Sequence, residues 1–256
     1  MPVFQLSKWY LDCVTDSGNA LIAYIGDLHW GPVSFHFSSV LRSSGMQVMQ
    51  QHSLREQSRP LVREDEVSWH SPQFGLAGVW HADSSAVRET VFENEIGSVE
   101  WHCLMPRARA CIGSDSGFGY VECLTMTVAP WKMPIQYLRW GRFCSTSDWI
   151  GWIDWQGEYS KRIMYFNGET VSAASIEDER ILFDDGSSLN MDRSLTLRKG
   201  LLGTTALSSI PGLANIFPAR LLQVHEYKWR SRAQLLRPGI PPVEGWAIHE
   251  IVSWPR

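Results

Sequence analysis

The chain has 256 residues and a formal net charge of -4, with 44% hydrophobic and 20% charged residues, a balance that supports a packed core and argues against disorder. No Lys/Arg cluster breaks this pattern, so the electrostatic footprint of a nucleic-acid binder is missing. Thirteen residues are Trp, against 7 Tyr and 10 Phe, and so many large amphipathic rings imply either a Trp-heavy β core or a pocket lined for a bulky ligand.

The N-terminus has no basic segment leading into an apolar one, so no signal peptide is expected and the protein is read as cytoplasmic. Along the chain, alternation with a period of two dominates over helical periodicity. In residues 97–105, Val99, Trp101, Cys103 and Met105 share a face, with Glu100 and His102 on the other. In residues 118–128 one face holds Phe118, Tyr120, Glu122, Leu124 and Met126. Residues 148–156 divide into Trp149, Ile153 and Trp155 against Ile150, Trp152 and Asp154, and residues 221–230 and 246–254 alternate in the same way. Turn-forming residues separate these runs, with Asn167-Gly168 and Asp185-Gly186 as the clearest type I′ hairpin signals. Residues 130–134 hold two prolines and should form a bend, because each removes a ladder donor. Many short strands at this spacing mean an all-β chain of antiparallel sandwiches or barrels. A short echo links Gly119 to Glu122 with Gly245 to Glu250, too brief to establish a duplication.

Five cysteines at irregular spacing, with no C-x-x-C pair, argue against a disulfide framework or a zinc ribbon. The eight histidines lack H-x-H or H-E-x-x-H spacing, so no metal site is indicated. His249 and Glu250 are neighbours on a strand and point to opposite faces, which rules out a local dyad. The uncharged residues 200–219 carry two prolines and three glycines and cannot form a membrane-spanning helix. Residues 200–218 read either as a lid over an apolar pocket or as a long connection. No G-x-S-x-G or G-x-G-x-x-G motif occurs, so neither an α/β-hydrolase nor a dinucleotide site is expected.

Several segments together resemble one family. Lys8-Trp9-Tyr10-Leu11-Asp12, followed by a Ser-Gly turn and an apolar strand ending in Ile25-Gly26, is similar to the opening of the carotenoid 1,2-hydratase and AttH-like family. Gly119-Tyr120 and Trp140-Gly141 resemble that family's later marks, and Trp149 to Trp155 with Asn167-Gly168 resembles the start of its second half. The resemblance implies two lipocalin-like β halves, divided here as 1–145 and 146–256, and chemistry on a large apolar substrate, as in the related tocopherol cyclases and lipocalin-like pericyclases. One departure concerns the catalytic pair: where the family usually has an Asp-His type pair before Trp-Gly, this chain has Leu138 and Arg139.

Protonating an unactivated alkene needs a strong acid in a dry pocket and electron-rich faces for the cation that develops. Glu122, on a face with Tyr120 and Phe118, is the leading candidate donor, and Asp154 the second; the alternative for each is an ion pair with a basic partner. Trp9, Tyr10, Tyr120, Trp140, Arg142, Trp152 and Trp155 are the candidate substrate-binding residues. Arg139 and Arg142 are read as two guanidinium groups on one side of an extended segment, able to clamp a carboxylate or to pair with an acid. The expected activity is a hydratase, cyclase or isomerase acting on an isoprenoid or polyketide-like molecule, with no cofactor and no metal. A lipocalin-like carrier is the alternative, distinguished by the absence of an acid in the cavity. Glycoside hydrolysis would require two carboxyl groups facing each other across a cleft. No partner other than a hydrophobic small molecule is expected, and a homodimer is left open.

Overall fold

The computed structural model describes residues 4–205, 207 and 217–255, so most of the 200–218 segment lies outside the described residues. Contacts divide the chain into two units, Met1–Lys132 and Met133–Arg256. The first contains β1 (Phe4–Thr15), β2 (Ala20–Trp30), β3 (Val33–Ser44), β4 (Gln47–Ser53), β5 (Leu61–Arg63), β6 (Glu66–Ser71), β7 (Leu76–Ala82), β8 (Val87–Asn94), β9 (Gly97–Ile112) and β10 (Asp115–Met126). They form one antiparallel sheet in the order β4-β3-β2-β1-β10-β9-β7-β6-β5, with β8 paired to β9.

The second unit contains β11 (Ile135–Cys144), β12 (Trp149–Gly157), β13 (Lys161–Phe166), β14 (Glu169–Thr170), β15 (Ala173–Ile176), β16 (Arg180–Phe183), β17 (Ser188–Met191), β18 (Leu195–Leu201), β19 (His225–Arg237) and β20 (Ile240–Ser253). Their order is β14-β13-β12-β11-β20-β19-β17-β16-β15, with β18 paired to β19. Each strand of the second sheet thus takes the place of the strand ten earlier in the first. Strands β10 and β20, which carry the short sequence echo, are topological equivalents. Both sheets curl into half-barrels, and the chain is all-β with two lipocalin-like halves. The resemblance divides the halves after residue 145; in the structure β11 hydrogen-bonds to β12 and β20 and belongs with the second sheet. Among the described residues, no helix is long and apolar enough to cross a membrane.

Alternation decides what each sheet buries. In the first unit Leu11, Cys13, Ala23, Ile25, Trp69, Trp80, Met105 and Val121 pack into one apolar core. In the second, Phe143, Ile150, Trp152, Met164, Leu189, Met191 and Leu235 do the same. Irregular pairing of β9 with β10 between Gly119 and Glu122 changes the phase of β9, so that Met105 joins the core while Cys103 and Trp101 share the face of Glu122. Gly119 and Gly141 leave room for indoles: a Cβ at Gly119 would lie 2.5 Å from Trp80, and one at Gly141 2.2 Å from Trp152. Trp80 uses that space to donate from Nε1 to the Asp12 carbonyl at 2.7 Å.

The turns follow the sequence with one correction. Asn167 and Gly168 both have positive φ, 49° and 93°, as a type I′ hairpin requires. At Asp184-Asp185-Gly186 only Gly186 is left-handed, with φ 83°, and Phe183 N–H bonds to the Ser187 carbonyl at 2.9 Å. That is a longer loop closed by a glycine bulge, not a two-residue I′ turn. Pro130–Lys132 forms a single 3-10 turn at the expected proline bend.

Candidate functional site

Strands β1, β9 and β10 place an acid among aromatic rings on the face of the first sheet away from its apolar core. Tyr10 lies opposite Glu122 and Asp12 opposite Tyr120, while Tyr24 pairs with Tyr10 from β2. Direct pairs in an antiparallel ladder share a face, so these groups form one patch. Glu122 is only 5% exposed, and Tyr10, Asp12, Tyr120 and Trp101 are also buried. The Tyr120 hydroxyl and the Trp101 Nε1–H each donate to Glu122 Oε2 at 2.6 Å. Tyr10 donates to Asp12 Oδ2 at 2.9 Å and packs edge-on against both Tyr24 and Tyr120, at 5.2 and 5.8 Å between ring centres. Burial, reinforced by Cys103 and Glu122, pushes the Tyr120 phenol well above its usual pKa, so it remains a neutral donor toward the carboxyl group.

Asp154 has different surroundings. It is 3% exposed, Arg162 Nε donates to its Oδ1 at 3.1 Å, Gln156 Nε2 donates to its Oδ2 at 2.7 Å, and Arg139 approaches at 4.0 Å. The row Arg139–Asp154–Arg162 runs straight across β11, β12 and β13. Two guanidinium groups flank Asp154, so this is an ion-paired acid. It lines an open depression of about 790 Å³ with Gln136, Tyr137, Trp155 and Lys161.

The other sequence candidates divide by face. Trp9 is on the opposite side of β1 from Tyr10 and packs against the apolar core of the first unit. Trp152 belongs to the core of the second unit, since it alternates in phase with Ile150. Trp155 is buried edge-on against Tyr159. Arg142 is fully buried and donates to the Trp246 carbonyl at 3.3 Å. Arg139 faces the other way, stacks 4.4 Å from the Tyr137 ring and pairs with Asp178. The two arginines therefore cannot form a clamp, because strand residues three apart point to opposite faces.

Trp140 shares a face with a buried charge network that sequence reasoning missed. Lys228, 1% exposed, lies 5.5 Å from the Trp140 ring centre. It pairs with Glu250, and with Glu226 at 3.9 Å, while Arg198 bonds Glu226 at 3.1 Å. The register with Trp140, Glu250 and Arg198 encloses Glu226 and Lys228. Glu250 of β20 is thus paired with a cation, and Glu122 of the equivalent β10 accepts from the Tyr120 hydroxyl and the Trp101 indole.

On the core side of β20, His249 contacts Ser231 Oγ through Nε2 at 2.8 Å and stacks on Trp229 at 5.3 Å. Burial, with a further push from the positive charge of Arg193, lowers its pKa from 6.5 to about 3. The unfolded chain therefore binds a proton between these values that the folded chain excludes. This stabilisation is complete above about pH 6.5 and is lost as pH falls toward 3. Between pH 7.5 and 5 the expected loss is about 2 kcal/mol. Urea unfolding of wild type and His249→Gln at both pH values checks this; an unchanged pH slope in the variant would contradict it.

Among the described residues, no group of three or more His, Cys, Asp or Glu is arranged to hold a metal ion. No family model matches the sequence, and no curated protein matches it significantly. Solved structures do match. CghA, solved with Sch210972, aligns with a TM-score of 0.57 at 12% identity, over 98% of this chain and 88% of that one. An AttH candidate from Nitrosomonas europaea gives 0.55 at 11% identity, over 99% of this chain and 94% of that one. Kievitone hydratase from Nectria haematococca gives 0.56 at 13% identity, over 96% and 88%. The chain has the two-part lipocalin-like fold of these proteins.

Proposed function

We propose that the chain is a cofactor-independent enzyme that protonates an alkene in a hydrophobic small molecule, with Glu122 as the acid. The observation carrying this reading is a buried carboxyl whose Oε2 receives two neutral donors amid the Tyr10, Tyr120 and Trp101 rings. The Tyr120 and Trp101 hydrogens fix the carboxyl orientation. Transfer of the Glu122 proton to an alkene carbon leaves a carbocation on the neighbouring carbon, beside rings whose faces attract positive charge. Capture by water completes a hydration, capture by an internal nucleophile a cyclisation, and proton loss from another carbon an isomerisation. A hydratase among the proteins of this fold supports the assignment.

Glu122, set among aromatic rings, is preferred as donor over Asp154, whose carboxyl group is engaged by Arg162 and Arg139. Native mass spectrometry of the purified protein can identify a co-purifying apolar molecule as substrate. Turnover of that molecule in D2O is expected to place one solvent deuterium on carbon, and a product without carbon-bound deuterium would overturn the reading.

A further inference from the structure

On the core side of the first sheet, away from Glu122, the apolar interior gives way to a polar end. His36 lies directly opposite Asp27 on β2 and β3, and its Nδ1 contacts Asp27 Oδ1 at 2.8 Å. Arg59 Nε donates to the other carboxylate oxygen, Oδ2, at 2.9 Å. The segment carrying Arg59 is itself held in place: Trp69 Nε1 donates to the Ser58 carbonyl at 2.9 Å, and Ser71 Oγ donates to Gln57 Oε1 at 2.8 Å. Asp27 is therefore enclosed as a carboxylate between two donors, with its side chain 10% exposed, while His36 stays 32% exposed.

This arrangement fixes the tautomer. A carboxylate accepting from Nδ1–H leaves Nε2 of the neutral ring as a hydrogen-bond acceptor. Two residues along β3 on the same face, Ser38 is 1% exposed, and among the described residues its Oγ has no hydrogen-bond partner. Ser38 pairs with Ile25, and Ile25 pairs with Trp9, so Ser38, Ile25 and Trp9 form the cross-strand row next to the dyad on the core side of the sheet. A buried hydroxyl without a partner is costly unless something meets it. Barrel mouths are a recurrent place for small-molecule sites that combine apolar walls with a few convergent polar groups.

We propose that this end of the first half-barrel is a second small-molecule site, which takes an apolar molecule bearing a hydroxyl group. The hydroxyl donates to His36 Nε2 and meets Ser38, while the hydrocarbon portion lies along the partly buried Trp9. Asp27 and Arg59 act as positioning residues that hold the imidazole tautomer. The site uses none of the Glu122 cluster, which lies on the opposite face of the sheet. It also gives Trp9 a binding role on the side where it is found.

The test uses the full chain labelled with 15N and two probes, citronellol and its methyl ether, which cannot donate a hydrogen bond. Citronellol is expected to shift the His36 Nε2 and Trp9 indole signals, and to bind about tenfold more tightly than the ether. In His36→Phe, the preference for the alcohol should fall to about onefold, with the rest of the spectrum retained. Should that variant not fold, the comparison of the two probes on the wild-type chain decides alone. Equal affinity for alcohol and ether, or shifts that bypass Trp9 and His36, would overturn the proposal. Citronellol binding should persist in Glu122→Gln, which separates this site from the chemistry assigned to Glu122.

Discussion

Glu122→Gln is expected to lower kcat by about 100- to 10,000-fold, the usual contribution of a positioned general acid. The substitution is nearly isosteric. The amide oxygen can still accept from the Tyr120 hydroxyl and the Trp101 indole, which now meet Oε2 at 2.6 Å, so the strand geometry should hold. What disappears is an acidic proton, since an amide N–H cannot transfer to an alkene carbon. Affinity for the substrate should change little, because the surrounding Tyr10, Tyr120 and Trp101 rings are untouched. A fall in kcat with KM retained is the signature of a group used only in the transition state. Full activity in the variant would remove Glu122 from the role. The same substitution at Asp154 serves as contrast: its carboxylate is already paired with Arg162 and Arg139, so its effect should fall on stability.

Lys228→Met is expected to destabilise the second unit by about 3–5 kcal/mol, the cost of leaving a buried partner uncompensated. Lys228 is 1% exposed and stands between Glu226 and Glu250. Without it, Glu226 keeps Arg198, while Glu250 loses the ammonium group it pairs with. Methionine preserves most of the side-chain volume, so the effect is electrostatic and not a cavity. Adding Glu250→Gln should restore a large part of the loss, because the double variant removes charge in balanced amounts. Chemical denaturation of the two single variants and the double measures this coupling. Additive effects would show that the pair contributes nothing as a pair.

These two expectations concern topologically equivalent strands. Strands β10 and β20 each carry a glutamate on the face away from the apolar core, yet one is set among phenol and indole donors and the other against an ammonium group. The strand order is repeated while the side chains around the two glutamates differ.

The period-two pattern was enough to read an all-β chain, because alternation survives whatever partner a strand takes. It also placed Phe118, Tyr120 and Glu122 on one face, where β10 holds them. Its limits were those of register. Trp9 and Tyr10 entered as one motif, although adjacent strand residues face opposite sides of the sheet. The match of His36 with Asp27 depends on how the β2–β3 hairpin is closed, and nine residues of sequence separation do not disclose that pairing. Lys228 illustrates the same point: charged residues at every second position suggest a solvated face until a neighbouring strand supplies counter-charges. The duplication left only a short echo in residues because topology, face pattern and strand order were kept while side chains changed.

In the proposed reaction Glu122 delivers a proton to carbon. The most direct measurement is single turnover of the co-purifying substrate in D2O, with wild type and Glu122→Gln compared by the mass of the product. Wild type should yield product with one deuterium on carbon, and the variant should leave the substrate unlabelled and unconverted. Carbon-bound deuterium formed equally fast by the variant would contradict the claim.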